Sequence, residues 1–194
     1  MELDGLFGYD AVSLSSEGDS VVIIDQTLLP WEERFLALRD EEEVREAIAK
    51  LRVRGAPAIG VAAAYGMYVA FRRKVKEGGL DPRGADSEFY RIKNLICSAR
   101  PTAVNLSAAL ERMAECFKSV SGKSLALQLD ALRSEADAVK EEDMAMCRAI
   151  AEFGAELIPR TDMGILTHCN AGHFAVSRYG TALAPVYLAQ SRGL

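Results

Sequence analysis

The sequence predicts an α/β chain: a small antiparallel β-sheet, then a helical bundle, then a strand–loop–helix unit. Three observations predict it. Two β-rich runs, Ala11–Ser15 and Val21–Asp25, flank the polar, glycine-containing segment from Ser16 to Ser20. Apolar residues recur at helical spacing between Asp40 and Ile158. After Pro159 comes a short apolar run, a glycine-containing loop and another apolar stretch, the order in which a parallel α/β domain begins. The boundary at Pro159 divides the chain into a sheet-and-helix domain, 1–158, and the start of a second domain, 159–194. One strand–helix unit cannot close a sheet, because its strand would have both edges unpaired, so the second domain is expected to be incomplete.

The elements follow in order. Ala11–Ser15 and Val21–Asp25 form a hairpin, and Trp31–Leu38 offers a third strand. The acids at Asp40, Glu41, Glu42 and Glu43 suit a helix start, where carboxylates oppose the dipole. That helix carries Val44, Ala47, Ile48 and Leu51 on one face. A helix from Pro57 to about Lys76 has proline in its first turn, where the missing N–H costs nothing, and ends at Gly78-Gly79 and Asp81-Pro82. Helices over Ser87–Ser98, Pro101–Val120 and Ser124–Ile158 come next, the last with a break expected near Gly154. Met163–Leu166 reads as a strand and the stretch from Gly172 to Ala189 as a helix. Trp31, Tyr65, Tyr68 and Phe71 are expected in the core.

Composition narrows the function classes. The 194 residues include 23 Lys+Arg against 28 Asp+Glu, a net charge of −5. An acidic chain without a basic cluster is not expected to bind nucleic acid. The uncharged run from Gly55 to Phe71 falls short of the roughly 20 apolar residues a membrane span needs and reads as a buried helix. The first residues lack a basic and apolar export signal. The four cysteines, Cys97, Cys116, Cys147 and Cys169, form no C-x-x-C pair and read as reduced thiols in a cytoplasmic protein. His168 and His173 lie too close together, with only Cys169 near them, to suggest a zinc site.

Chemistry concentrates in three places. At Arg54-Gly55-Ala56-Pro57 an arginine precedes a helix whose first N–H groups are free, and Gly55 and Ala56 leave that backbone uncovered. The guanidinium adds a permanent two-pronged charge for a phosphate, unless it simply points to water. Arg100-Pro101-Thr102 repeats the construction, with the same alternative. In Thr167-His168-Cys169-Asn170-Ala171-Gly172 the cysteine would stand at the start of a helix, which lowers a thiol pKa; a buried cysteine at a strand end fits equally. Cys97, Cys116 and Cys147 fall on apolar helix faces and read as core. His173 is a candidate acid or base, or a polar residue in a first helical turn.

Taken together, these segments resemble the methylthioribose-1-phosphate isomerase family. The resemblance rests on Ile24 to Pro30 (IDQTLLP), Val53 to Gly60 (VRGAPAIG), Ala64-Tyr65-Gly66, Arg100 to Leu106 (RPTAVNL), Thr167 to Gly172 (THCNAG) and Tyr179 to Leu183 (YGTAL), in family order. It implies a Rossmann-like carboxy-terminal domain, of which residues 159–194 would be the first strand–helix unit. It also implies phosphate or sugar contacts from Arg54, the Gly55 and Ala56 backbone and Arg100, with Cys169 as the catalytic cysteine. The implied reaction converts 5-methylthioribose 1-phosphate to 5-methylthioribulose 1-phosphate in methionine salvage, without metal or cofactor, in a homodimer. The family's second catalytic group is an aspartate of the carboxy-terminal domain, and no acid of this sequence lies in the matching motif. The resemblance therefore gives this chain part of an active site, inactive alone: an amino-terminal fragment, a truncated product, or one piece of a nicked protein with a separate carboxy-terminal piece as partner. Related readings are an isomerase of 5-deoxyribose 1-phosphate or ribose 1,5-bisphosphate, and a non-catalytic regulatory subunit of the translation initiation guanine-nucleotide exchange factor.

Overall fold

A computed structural model describes residues 3–78, 80–81, 83–158 and 164–193; the side chain of Asp4 is outside that description. The expected hairpin pairs β1 (Val12–Leu14) with β2 (Val21–Ile24), Val12 facing Ile23. Ser15 shapes the turn, its hydroxyl oxygen accepting from the N–H groups of Asp19 and Ser20, both at 3.1 Å. Strand β3 (Phe35–Leu38) adds on the far side of β2, also antiparallel. It is shorter than the run from Trp31, and Trp31 is 92% exposed rather than in the core.

Helix α1 (Glu41–Ala49) is capped by Asp40, whose carboxylate accepts from the N–H groups of Glu42 and Glu43. Val44, Ala47 and Ile48 are buried as expected. Leu51 is not: it lies beyond the helix at φ 58 and is exposed, because the chain must turn sharply there to reach the next helix.

Helix α2 (Ala56–Lys76) is the axis of the domain, with every residue from Ala58 to Phe71 buried. Its alanines and glycines let neighbours approach. A Cβ on Gly66 would stand 2.7 Å from Val44 of α1, and one on Gly60 would stand 3.2 Å from the carbonyl oxygen of Asn105. Tyr65 and Tyr68 are buried here, and Phe71 meets Phe89 of α3 (Ala85–Cys97) and Phe117 of α4 (Val104–Ser119), with ring centroids 5.7 and 5.4 Å away. Helix α4 begins three residues later than expected: Pro101 and Thr102 form a turn closed by the Ala103 N–H on the Arg100 carbonyl, so Pro101 is not in a first helical turn.

Helix α5 (Leu125–Glu156) runs unbroken through Gly154. That glycine is there for packing: a Cβ would lie 2.3 Å from Cγ of Pro185 at the start of α6 (Ala184–Ser191). Cys147, Ala151 and Ala155 of α5 form a second small core with Tyr179, Ala184 and Leu188. Cys147 is buried, while Cys97 and Cys116 are partly buried against the main core.

The expected strand at Met163–Leu166 is absent from its described part. Residues 164–168 have no regular structure, Ile165 and Leu166 are exposed, and Met163 is outside the described residues. No described strand stands beside this segment to pair with its backbone, and an extended segment without a neighbour is not a strand. The helix expected after Gly172 is likewise reduced to a 3-10 turn at His173–Ala175, irregular backbone, and then α6. Among the described residues, no helix is long and apolar enough to cross a membrane.

Candidate active site

Arg54 lies exposed immediately before α2, with Gly55 as the N-cap residue and Ala56 as the first helical residue. Gly55 adopts φ +88, a conformation that favours glycine, and a Cβ there would lie 2.1 Å from the carbonyl oxygen of Ala175. Its bare backbone is therefore pressed against the 3-10 turn that follows the Cys169 loop. Gln26 reinforces the junction, donating from Nε2 to the Phe174 carbonyl at 2.9 Å. Two of the three predicted places thus meet at the first turn of α2. The third lies in the turn before α4, whose first turn packs on α2 through Asn105 and Gly60.

The side chains of Arg54 and Arg100 have no hydrogen bond or ion pair to any described residue. Their neighbours differ: Arg34, Arg45, Arg52, Arg73, Arg91, Arg112 and Arg192 each pair with a carboxylate. Exposed guanidiniums without a described counter-charge, Arg54 at the α2 start and Arg100 in the turn before α4, suit an anion.

The residues that hold this junction are ones the sequence did not single out. Asp25, 1% exposed, accepts from the N–H and hydroxyl of Thr27 at 3.0 and 2.6 Å, and from Arg52 at 2.5 Å. Burial pushes its pKa up, but the Thr27 bonds and the Arg52 charge outweigh that and hold it below the ordinary value. The motif from Tyr179 to Leu183 is a clamp: the N–H groups of Thr181 and Leu183 both donate to the Ala171 carbonyl, at 2.9 and 3.2 Å. Gly180, at φ +100, permits it, because a Cβ there would touch Gly172 at 2.9 Å. Asp10 anchors the amino-terminal segment by pairing with Lys140 at 2.5 Å and Arg178 at 2.9 Å. A signal was present in those motifs, but Gln26 finds its partner 148 positions away in sequence.

Cys169 is exposed, at φ 61, in the wall of a cleft of about 510 Å³. Leu6, Phe7, Tyr9, Asn170, His173 and Tyr187 line the same cleft. The cysteine does not start a helix: the three-residue turn at His173–Ala175 is the next regular element. His173 stands in the cleft wall, 7% exposed, and burial pushes its pKa down to about 4, so the imidazole is neutral at ordinary pH. Nearby Asp10 raises that pKa and Arg178 lowers it, both less than burial does. Among the described residues, no group of three His, Cys, Asp or Glu side chains could hold a metal ion.

A three-stranded sheet backed by a buried alanine-rich helix, with the turn after the cysteine loop packed on the start of that helix, defines an α/β domain. The profile of the Initiation factor 2 subunit family matches residues 52–193, and the chain belongs to that family. It is 52% identical over 182 residues to the methylthioribose-1-phosphate isomerase of Parabacteroides distasonis, a match covering 92% of this chain and 52% of that protein. It is 47% identical over 182 residues to the 5-deoxyribose 1-phosphate isomerase of Petrotoga mobilis, covering 94% of this chain and 51% of that protein. The crystal structure of 5-methylthioribose 1-phosphate isomerase from Pyrococcus horikoshii superposes with a TM-score of 0.90 at 32% identity, over 100% of this chain and 52% of that one. The chain spans about half the length of the curated relatives it matches.

Proposed function

We propose that this chain carries part of the active site of an aldose–ketose isomerase that converts 5-methylthioribose 1-phosphate to 5-methylthioribulose 1-phosphate. The observation that carries the reading is the junction itself: the turn after the Cys169 loop is locked through Ala175 and Gly55 onto the helix start that bears exposed Arg54. The names of the relatives at 52% identity and of the structural neighbour supply the substrate class.

The chemistry assigns the roles. The anomeric oxygen of an aldose 1-phosphate is esterified, so the ring must open with the phosphate in place, and hydrogen must then move between C1 and C2. Arg54, Arg100 and the backbone N–H groups at Gly55 and Ala56 would hold the phosphate and keep the reacting carbons in register. Cys169 would face those carbons and manage the proton or the charge that develops. Residues 159–194 would open a Rossmann-like second domain, completed by a carboxy-terminal piece that supplies the second catalytic acid. A homodimer in the cytoplasm completes the proposal.

The test is conversion of methylthioribose 1-phosphate by the purified 194-residue chain, alone and mixed with the carboxy-terminal half of the Parabacteroides distasonis isomerase. Ketose formed only in the mixture, and lost with Cys169→Ser, is the expected result. No ketose in a mixture that demonstrably assembles would overturn the reading. A second substrate belongs in the assay, because the relative at 47% identity carries the name 5-deoxyribose 1-phosphate isomerase. Faster turnover of 5-deoxyribose 1-phosphate would move the assignment to that sugar.

A further inference from the structure

His173 has a feature that packing does not explain. Both ring nitrogens are buried, and neither has a hydrogen-bond partner among the described residues. Three aromatic neighbours pack on the ring. Phe7 stacks parallel to it, centroids 4.5 Å apart and planes 5° apart, while Tyr9 and Phe174 approach edge-on at 5.5 and 5.3 Å. A phenylalanine could make the same stack without burying a donor and an acceptor, and burying such groups unpaired is costly. The imidazole also stands in the wall of the cleft that holds Cys169 and Asn170, so the space in front of it is space a ligand can enter.

We propose that His173 hydrogen-bonds a hydroxyl group of the sugar bound beside Cys169, and so selects the polyol end of the ligand for this cleft. The inference rests on the isomerase reading for the sugar's identity. It rests on complementarity for the group recognised. A neutral imidazole offers one N–H donor and one lone-pair acceptor, and a hydroxyl offers the same pair in reverse. A phosphate dianion offers only acceptors and would favour the protonated ring, which burial among Phe7, Tyr9 and Phe174 opposes. The phosphate therefore belongs at unpaired Arg54 and Arg100, and the uncharged carbons with their hydroxyls belong at His173. The cleft, at about 510 Å³, is within the range of small-molecule sites.

The test follows the His173 ring resonances by NMR while the full chain is titrated with methylthioribose 1-phosphate, ribose 5-phosphate or inorganic phosphate. It measures affinities for the wild type, His173→Phe and His173→Gln. The expected result is a shift of the ring signals with the sugar phosphates and none with inorganic phosphate. His173→Phe should bind the sugar phosphate about 10-fold more weakly, His173→Gln should recover part of that loss, and both should bind inorganic phosphate as the wild type does. Ring signals that stay still while the sugar phosphate binds would overturn the proposal without any variant. So would unchanged affinity in a folded His173→Phe. A ring that responds to ribose 5-phosphate but not to methylthioribose 1-phosphate would uphold the hydroxyl contact and overturn the substrate reading. Binding of neither sugar would overturn both.

Discussion

Asp143 of α5 accepts two hydrogen bonds from Ser177, one from the backbone N–H at 2.7 Å and one from the hydroxyl at 2.5 Å. The Ser177 carbonyl in turn accepts from the Ala11 N–H at 2.9 Å. One residue thus joins the long helix, the entry to the first strand and the segment that follows the Cys169 loop. Burial raises the pKa of Asp143, and the Ser177 bonds hold it down only in part. Burial, aided by the same carboxylate, pushes the thiol of Cys147 up to about 12, so that cysteine stays protonated and inert.

Ser177→Ala should therefore cost more than a surface substitution. Loss of one hydrogen bond to a buried carboxylate amounts to about 1.5–3 kcal/mol. Asp143→Ala should cost more again, because it leaves the Ser177 N–H and hydroxyl unpaired and opens a cavity. Urea denaturation of both variants checks the order. A Ser177→Ala midpoint equal to that of the wild type would show that the contact contributes nothing.

Gly55→Ala should be among the most damaging single changes in the chain. It forces alanine to φ +88 and drives a methyl group to 2.1 Å from the Ala175 carbonyl. Gly78→Ala is the control, since Gly78 also has positive φ, at +75, with nothing within 4 Å of an added Cβ. Backbone strain alone should cost Gly78→Ala on the order of 1 kcal/mol. Gly55→Ala should lose about 3 kcal/mol or more, with the excess due to the displaced turn. Equal losses in the two variants would mean that the 3-10 turn moves aside freely.

The helical part of the fold was legible because its information is local. Apolar spacing, the acids after Asp40 and the proline at position 57 mark α1 and α2 without reference to anything distant. Leu51 and Trp31 escaped that logic, since a chain reversal and a solvent-facing loop override their apolar character. The strand expected near the end of the chain differs for another reason. Gly164, Ile165 and Leu166 have the composition of a strand, but a strand exists only beside another, and no described residue supplies one. Within the site, Arg54 and Cys169 could be picked out one by one. Their adjacency could not, because it depends on Gly55 meeting Ala175 and on Gln26 reaching Phe174.

Stability should fall in mild acid through His173. Its pKa is 6.5 when unfolded and about 4 in the folded chain, so between those values the unfolded state binds the proton more readily. The contribution is complete above about pH 6.5 and is lost as the pH falls through 4, a change of about 3 kcal/mol. Asp143, with its raised pKa, acts in the opposite direction in acid, so the test compares two proteins rather than two pH values. The stability difference between His173→Phe and the wild type should grow in favour of the variant from pH 7 to pH 4. Parallel pH profiles for the two proteins would show that the imidazole is not buried neutral.

Arg52 and Arg54 stand two positions apart and should behave in opposite ways. Arg52 reaches Asp25 at 2.5 Å and Glu46 at 3.0 Å, and the carboxylate of Asp25 is buried. Arg52→Ala strands that carboxylate and should cost about 2 kcal/mol of stability. Arg54 is exposed and touches no described carboxylate, so Arg54→Ala should leave the urea midpoint within about 0.5 kcal/mol of the wild type. Its loss should appear in calorimetry instead. Binding of a sugar phosphate should weaken about 10-fold or more, while binding of the unphosphorylated sugar should be unchanged. The direction of each change follows from what the guanidinium touches in the folded chain: an internal carboxylate makes the first arginine structural, and its absence leaves the second free for an external anion. If Arg54→Ala weakens both sugars equally, the guanidinium is shaping the cleft rather than holding a phosphate.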